Sequence, residues 1–178
     1  MTMTGNLDLE RRAVTELRRA GRRLEGRVAN FGTETRVGDF TEVIAPGAFG
    51  AGLGAGKDIV ALVDHDPGKL LARTKSGTLR LTEDAKGLAF SLDLPETQAG
   101  KDVLALAERG DLGGMSFGFT VPKGGERWSG RRRELTKIEL REISVVSTWP
   151  AYPDTTVAAR ARVPPRLARA RRYLETIP

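Results

Sequence analysis

Residues 113–121, GGMSFGFTV, carry the clearest fold signal in this chain of 178 residues. From Met115 onward, large apolar side chains alternate with small ones, which is the two-residue period of a β-strand. Ser116, Gly118 and Thr120 therefore share one face of the strand. This stripe of small residues, which two glycines precede, leaves room over the hydroxyl group for the backbone of a substrate. The segment predicts a strand that presents a hydroxyl group on a stripe of small residues.

The segments on either side of this strand are also short and apolar, and Gly, Pro and Asp separate them as in a chain of strands and turns. Residues 97–109 differ, because their Leu- and Ala-rich pattern predicts a helix with Gly110 as its C-terminal cap. A second, Arg-rich helix is predicted over residues 160–175. The fold class is therefore β-rich (α+β), most simply a small β-barrel of six to seven strands with one or two flanking helices.

The positive charge of the chain lies at its two ends. The net charge is +6, and residues 1–27 carry seven Arg against four acidic residues, while residues 158–178 carry six Arg against one. Because the middle is slightly acidic, a nucleic-acid-binding groove is not expected across the core. We predict a polar, basic N-terminal arm (1–23), a folded domain (24–158) and an Arg-rich C-terminal helix or tail (159–178). Within the arm, residues 8–23 are expected to form a short exposed helix or to be disordered.

Composition excludes several kinds of site. The chain has no Cys and one His, so disulfides, thiolate nucleophiles and zinc sites built on sulfur or on several histidines are not expected. We therefore predict no metal and no cofactor. No apolar run approaches the roughly 18 residues of a membrane span, and the first residues lack a signal-peptide pattern. Neither secretion nor a membrane partner is expected.

The single histidine, His65, follows the apolar run of residues 59–63. Side chains that carry function often lie where a rigid strand ends, although a surface turn that happens to contain His is the alternative. In an extended chain, Asp64 and Asp66 would point away from the face that holds His65, so neither is expected to orient the imidazole. A carboxylate from elsewhere in the chain is needed for that role.

Glu142 is the candidate for that carboxylate. In a strand it shares a face with Ile138 and Leu140, where an unpaired carboxylate is costly. Ser116, His65 and Glu142 could then act as nucleophile, base and orienting acid of a serine hydrolase. Each residue also has a structural alternative: Ser116 as a small residue at a strand edge or kink, and Glu142 as a surface residue at a strand end. The residues alone therefore indicate a possible serine hydrolase and leave these structural roles open.

The chain resembles the prohead (capsid-maturation) protease family of tailed phages, distant relatives of the herpesvirus assemblins. The resemblance covers about residues 24–158, and its most specific part is the block GMSFGF (114–119) with an upstream His-Asp-Pro (65–67). The matching segments are residues 40–49, 63–67, 77–81, 94–97, 109–119, 140–146 and 150–153.

The resemblance implies a herpes-protease-like β-barrel with Ser116 as nucleophile and His65 as base. Assemblins have a second His as the third member, which this chain does not contain, and the similar separation from the nucleophile assigns that role to Glu142. By the same spacing, the turn over residues 149–152 is expected to donate a backbone N–H to the oxyanion. Pro150 in that turn has no N–H, so Ala151 is the expected donor.

The implied function is that of a serine endopeptidase, without a cofactor, that cleaves capsid and scaffold proteins and itself during prohead maturation. Its partners would be the major capsid protein and its scaffold segment, inside the assembling procapsid in the host cytoplasm, with self-association left open. The alternatives are a catalytically silent capsid-assembly scaffold with the same fold, a small nucleic-acid-binding barrel, and an esterase acting on small molecules.

Overall fold

The computed structural model describes residues 9–14 and 17–148. Within these residues the chain forms thirteen strands and two helices. The strands in chain order are β1 (Glu10–Val14), β2 (Leu17–Ala20), β3 (Arg23–Asn30), β4 (Thr35–Val37), β5 (Phe40–Ile44), β6 (Val60–Val63), β7 (Asp66–Arg73), β8 (Leu79–Glu83), β9 (Gly87–Asp93), β10 (Gly114–Thr120), β11 (Glu126–Ser129), β12 (Arg132–Leu135) and β13 (Glu139–Val146). The helices are α1 (Gly50–Gly54) and α2 (Gln98–Arg109).

The strands form three sheets, with the spatial orders β1-β10-β13-β6-β7, β11-β12-β5-β4 and β2-β3-β9-β8. The prediction of a β-rich chain with few helices is confirmed. The predicted count of six to seven strands is wrong, because several strands have only three to five residues and lie in segments too short or too polar to show a period. The hydrogen-bonded ladders of the described residues show three sheets and no closed barrel, so closure remains a prediction.

The polar segment near the N-terminus differs from its prediction. A short helix or a disordered arm was expected over residues 8–23, but the described part forms β1 and β2. β1 pairs with β10, and β2 pairs with β3, so the pairing partners of these strands lie in the predicted folded domain. Sequence polarity misleads here because the charges of β1 are paired with charges on other strands. The division of the chain at residue 24 remains a prediction.

Helix α2 agrees with its prediction. Thr97 is the N-cap, and its side chain accepts a hydrogen bond from the N–H of Gly100. Gly110 ends the helix in the left-handed conformation with φ 74°, which glycine adopts without a steric penalty. The second predicted helix, over residues 160–175, lies outside the described residues.

The core lies against β10. Met115, Phe117 and Phe119 are at most 1% exposed, as their alternation predicts. The ring of Phe117 packs edge-on against Phe49 at a centroid distance of 6.1 Å and stacks with Phe119 at 5.3 Å. β10 is buried on both faces, so its small residues are also covered.

Strand order in the first sheet brings three distant segments together. β13 lies at the centre, antiparallel to β10 on one side and parallel to β6 on the other. Ser116 on β10 is the cross-strand partner of Ser144 on β13, and Val145 is the partner of Val63 at the end of β6. His65 follows β6 directly. The register therefore brings residues 116 and 142, in the middle of β10 and β13, close to residue 65 at the end of β6.

Candidate active site

Ser116 lies in the middle of β10 and is 4% exposed. Its Oγ is 2.9 Å from Nε2 of His65 and 2.8 Å from the backbone oxygen of Arg12 on β1. A hydroxyl carries one proton, so these two acceptors compete for it. The nucleophile predicted from sequence is therefore within hydrogen-bond reach of the predicted base.

His65 lies in the two-residue turn between β6 and β7. Asp64 and His65 both have positive φ, 48° and 60°, which is the pattern of a type I′ hairpin turn. Asp and His tolerate this region better than most residues, but it still carries strain. Asp64 holds the turn, because its carboxylate accepts hydrogen bonds from the N–H and the hydroxyl of Ser147. The extended geometry assumed for this segment from sequence is wrong, and the carboxylate that contacts the ring of His65 comes from another strand.

That carboxylate belongs to Glu142 on β13, which is 7% exposed. Its Oε1 is 2.5 Å from Nδ1 of His65, on the opposite edge of the ring from Ser116. Gly118 on β10 lies directly across from it. The space above Gly118 is filled by the carboxylate of Glu142, so the part of the small-residue stripe expected to admit a substrate backbone instead admits the third side chain.

Burial by itself would raise the pKa of Glu142. Hydrogen bonds from His65 and Ser144, with the charges of His65 and Arg11, outweigh that effect and hold its pKa below the usual range. Glu142 is then a carboxylate that accepts a hydrogen bond from Nδ1–H of His65. The proton on Nδ1 leaves the lone pair on Nε2, so Nε2 can accept the proton of Ser116.

Two neighbours of Glu142 were missed by reasoning from the sequence. The hydroxyl of Ser144 donates to Glu142 Oε2 at 2.7 Å, and Nε of Arg11 lies 3.6 Å from Oε1. Ser144 follows Glu142 by two residues and so shares its face of the strand, a signal that the sequence did contain. Arg11 lies in the segment expected to be an arm, and no local pattern pointed to it.

The oxyanion donor predicted from sequence, Ala151, lies outside the described residues. Among the residues that the structure describes, no group of three or more His, Asp or Glu side chains could hold a metal ion. Within that same part of the chain, neither helix is long and apolar enough to cross a membrane.

Comparison with known proteins identifies the family of the chain. A family described as caudovirus prohead serine protease matches residues 8–166, which include all the strands and helices described above. The chain belongs to that family. It is a serine protease of capsid maturation, and the resemblance stated from sequence is confirmed. A catalytically silent scaffold is not favoured.

One solved structure supports the fold. The chain is similar to the bacteriophage T4 capsid assembly protease, gp21, with a TM-score of 0.53 and 8% sequence identity, over 78% of this chain and 95% of that one. At this level of identity the match shows the fold. No curated protein matches the sequence.

Proposed function

We propose that Ser116, His65 and Glu142 are the catalytic triad of this prohead protease. The observation that carries the proposal is the unbroken series of contacts from Ser116 Oγ to His65 Nε2 at 2.9 Å and from His65 Nδ1 to Glu142 Oε1 at 2.5 Å. Three side chains from three distant segments meet in this order, which is the order that nucleophile, base and orienting acid require.

In the first half of the reaction, Oγ of Ser116 attacks the carbonyl carbon of the scissile peptide, and its proton passes to Nε2 of His65. The carboxylate of Glu142 stabilises the imidazolium that forms and keeps the ring in place. When the C–N bond breaks, Nε2 returns the proton to the leaving amine. The acyl group remains on Ser116 as an ester.

In the second half, a water molecule gives its proton to His65 and attacks the ester carbonyl carbon. The proton then passes from Nε2 to Oγ of Ser116, which releases the new carboxyl terminus. Throughout, the oxyanion needs hydrogen-bond donors. We propose the N–H of Ala151 as one of them, on the basis of the resemblance stated above.

The substrates we propose are the major capsid protein and its scaffold segment, cut inside the assembling procapsid in the host cytoplasm, together with the protease itself. Two observations support this class of substrate: the family is one of prohead serine proteases, and the similar T4 protein is a capsid assembly protease. Closure of the three sheets into a herpes-protease-like barrel, self-association, and a role of the basic tails in packaging belong to the same proposal.

Co-expression with the cognate coat protein tests the function. We expect cleavage of the coat protein by the parent chain, no cleavage by Ser116→Ala, and cleavage by the matched control Ser91→Ala, in which a Ser on β9 is replaced. Cleavage that persists in Ser116→Ala would contradict the assignment of the nucleophile. Failure of the folded parent chain to cleave the coat protein would contradict the proposed substrate.

Labelling with a fluorophosphonate tests the triad without any substrate. Such reagents form a covalent bond with an activated serine, so mass spectrometry should find one adduct on Ser116 and none on the Ser116→Ala variant. His65→Gln should remove the adduct as well, because the hydroxyl then loses its base.

A further inference from the structure

A fourth side chain ties the three members of the proposed triad together. Ser144 is fully buried on β13, two residues after Glu142 and directly across the ladder from Ser116. Its hydroxyl donates to Glu142 Oε2 at 2.7 Å and accepts a hydrogen bond from the backbone N–H of His65 at 3.1 Å. One proton and one lone pair are used, so both bonds form at once.

The first of these bonds fixes the plane of the Glu142 carboxylate. The last torsion of a Glu side chain is broad, so a carboxylate held through one oxygen can turn about that contact. Here Oε1 faces His65 and Oε2 faces Ser144. With both oxygens held, Oε1 stays aligned with the ring nitrogen.

The second bond fixes the turn that carries the imidazole. His65 has a φ of 60°, a conformation that persists in a non-glycine residue only when its surroundings hold it. Asp64 is held by the N–H of Ser147, and the N–H of His65 is held by the hydroxyl of Ser144. Ser144 thus acts on the base and on the carboxylate that orients the base.

We infer that Ser144 is a positioning residue of the protease, one that sets the alignment of His65 with Glu142 through its hydroxyl group. The inference rests on the proposed triad and deepens it. Because its side chain is 0% exposed, Ser144 cannot contact a substrate. Its effect should therefore fall on kcat and on the reactivity of Ser116, and not on KM.

The test compares Ser144→Ala and Ser144→Cys with the parent chain and with the control Ser91→Ala. Cys has nearly the size of Ser but a much weaker hydrogen-bonding group, so it weakens the bonds without opening a cavity. The readouts are the rate of fluorophosphonate labelling of Ser116, kcat and KM on the cognate coat protein, and the NMR resonance of the His65 Nδ1 proton. As the chain has one His, this resonance belongs to one residue.

We expect Ser144→Ala to slow labelling and kcat by roughly 10- to 100-fold, with KM unchanged, because a misaligned base costs about that much. The Nδ1 proton should move upfield as its hydrogen bond to Glu142 weakens. Ser144→Cys should retain more activity than Ala and less than Ser. A Ser144→Thr variant, which keeps the hydroxyl, should recover part of the rate that Ala loses.

A folded Ser144→Ala variant with the parent's labelling rate and the parent's Nδ1 resonance would overturn the inference. If Ser144→Ala does not fold, the same comparison with Ser144→Cys decides. The proposed triad is tested separately by Ser116→Ala. Labelling that survives in Ser116→Ala would contradict both the proposed triad and this inference. Labelling that is lost in Ser116→Ala but unchanged in Ser144→Ala would contradict this inference alone.

Discussion

Gly118 faces Glu142 across the ladder of β10 and β13 so closely that a Cβ atom on residue 118 would lie 2.6 Å from Oε1 of the carboxylate. The same atom would lie 3.1 Å from Cγ and 3.2 Å from Cδ of Glu142. Real Cβ atoms do not approach other atoms as closely as 2.6 Å, so a larger residue here must displace the carboxylate. Gly118 therefore makes space beside His65 for the carboxylate of Glu142, the proposed orienting acid.

We expect Gly118→Ala to reduce kcat by about 100-fold, because the displaced carboxylate no longer aligns the imidazole. The measurement is steady-state cleavage of the coat protein, with circular dichroism to confirm folding. Gly54→Ala at the end of α1 is the matched control, since a Cβ there meets no atom within 4 Å. Full activity in a folded Gly118→Ala variant would show that the position of Glu142 does not matter for catalysis.

Part of the site could be predicted because some of its residues stand out in the sequence by strand alternation or by residue type. The place of Ser116 on β10 and the burial of the large side chains of that strand were predictable, because strand alternation appears directly in the sequence. The contact between Glu142 and His65 was predictable, because a lone carboxylate among apolar residues needs a partner and the chain holds a single histidine. Because the chain has one histidine, a buried carboxylate had a single imidazole with which it could pair.

What the sequence did not reveal depends on contacts between distant segments. The sequence of β1 resembles a polar arm because the partners of Glu10 and Arg12 lie on another sheet and far along the chain. The left-handed turn at His65 also escaped prediction, since neither Asp64 nor His65 is a glycine. No periodicity within one segment carries this information.

Replacing Glu142 by Gln tests the orienting acid. The amide has nearly the shape of the carboxylate but no charge to stabilise the imidazolium, and its NH₂ group can favour the wrong tautomer of His65. We expect kcat to fall by roughly 10³- to 10⁴-fold, as when the acid of other serine-protease triads is made an amide. Single-turnover cleavage measures this loss.

Glu139→Gln is the control for that variant. Glu139 lies on the same strand, and its carboxylate pairs with Lys57 at 3.0 Å and Arg141 at 3.2 Å, away from His65. We expect near-parental kcat for this variant. A similar loss in both variants would indicate that the charge of β13, and not the contact with His65, sustains activity.

Removing the charge of Arg11 should change the pH dependence. The guanidinium of Arg11 helps to hold the pKa of Glu142 low, so Arg11→Gln should raise that pKa. Glu142 must be ionised to act, and activity should therefore begin to fall at a higher pH as the solution is acidified. Because the Arg11 side chain is 38% exposed, water and salt screen its charge, and the shift should shrink in concentrated salt.

Profiles of kcat/KM against pH measure this shift, with Arg127→Gln as the control. Arg127 is a more exposed arginine whose partner is Glu134, so its loss leaves the surroundings of Glu142 unchanged. Identical acid limbs for the parent and Arg11→Gln would mean that the charge of Arg11 does not reach the carboxylate.

A cluster of buried charges holds β1 against the neighbouring sheet. Arg133 on β12 is 7% exposed, and its guanidinium donates to Glu10 on β1 and to Glu42 on β5. Glu42 in turn accepts two hydrogen bonds from Arg12. Without Arg133, the carboxylates of Glu10 and Glu42 share one cation, Arg12, so this buried cluster holds an excess of negative charge. Arg133→Met should therefore lower the free energy of unfolding by about 3–5 kcal/mol.

The same variant should also change how stability depends on pH. Burial opposes ionisation of Glu10, but hydrogen bonds and charges from Arg133 and Arg12 outweigh it and lower its pKa from 4.5. A lowered pKa contributes stability above the unfolded value, and that stability is lost as the pH falls through the folded value. Arg133→Met removes the largest of the effects that lower the pKa of Glu10, so the stability of this variant should fall less steeply below about pH 4.5 than that of the parent.

Urea unfolding at several pH values, followed by tryptophan fluorescence, measures both effects. Arg132→Met, which removes an exposed pair with Glu34, should keep the parent's stability and slope, and equal slopes for all three chains would exclude the ion pair as the source.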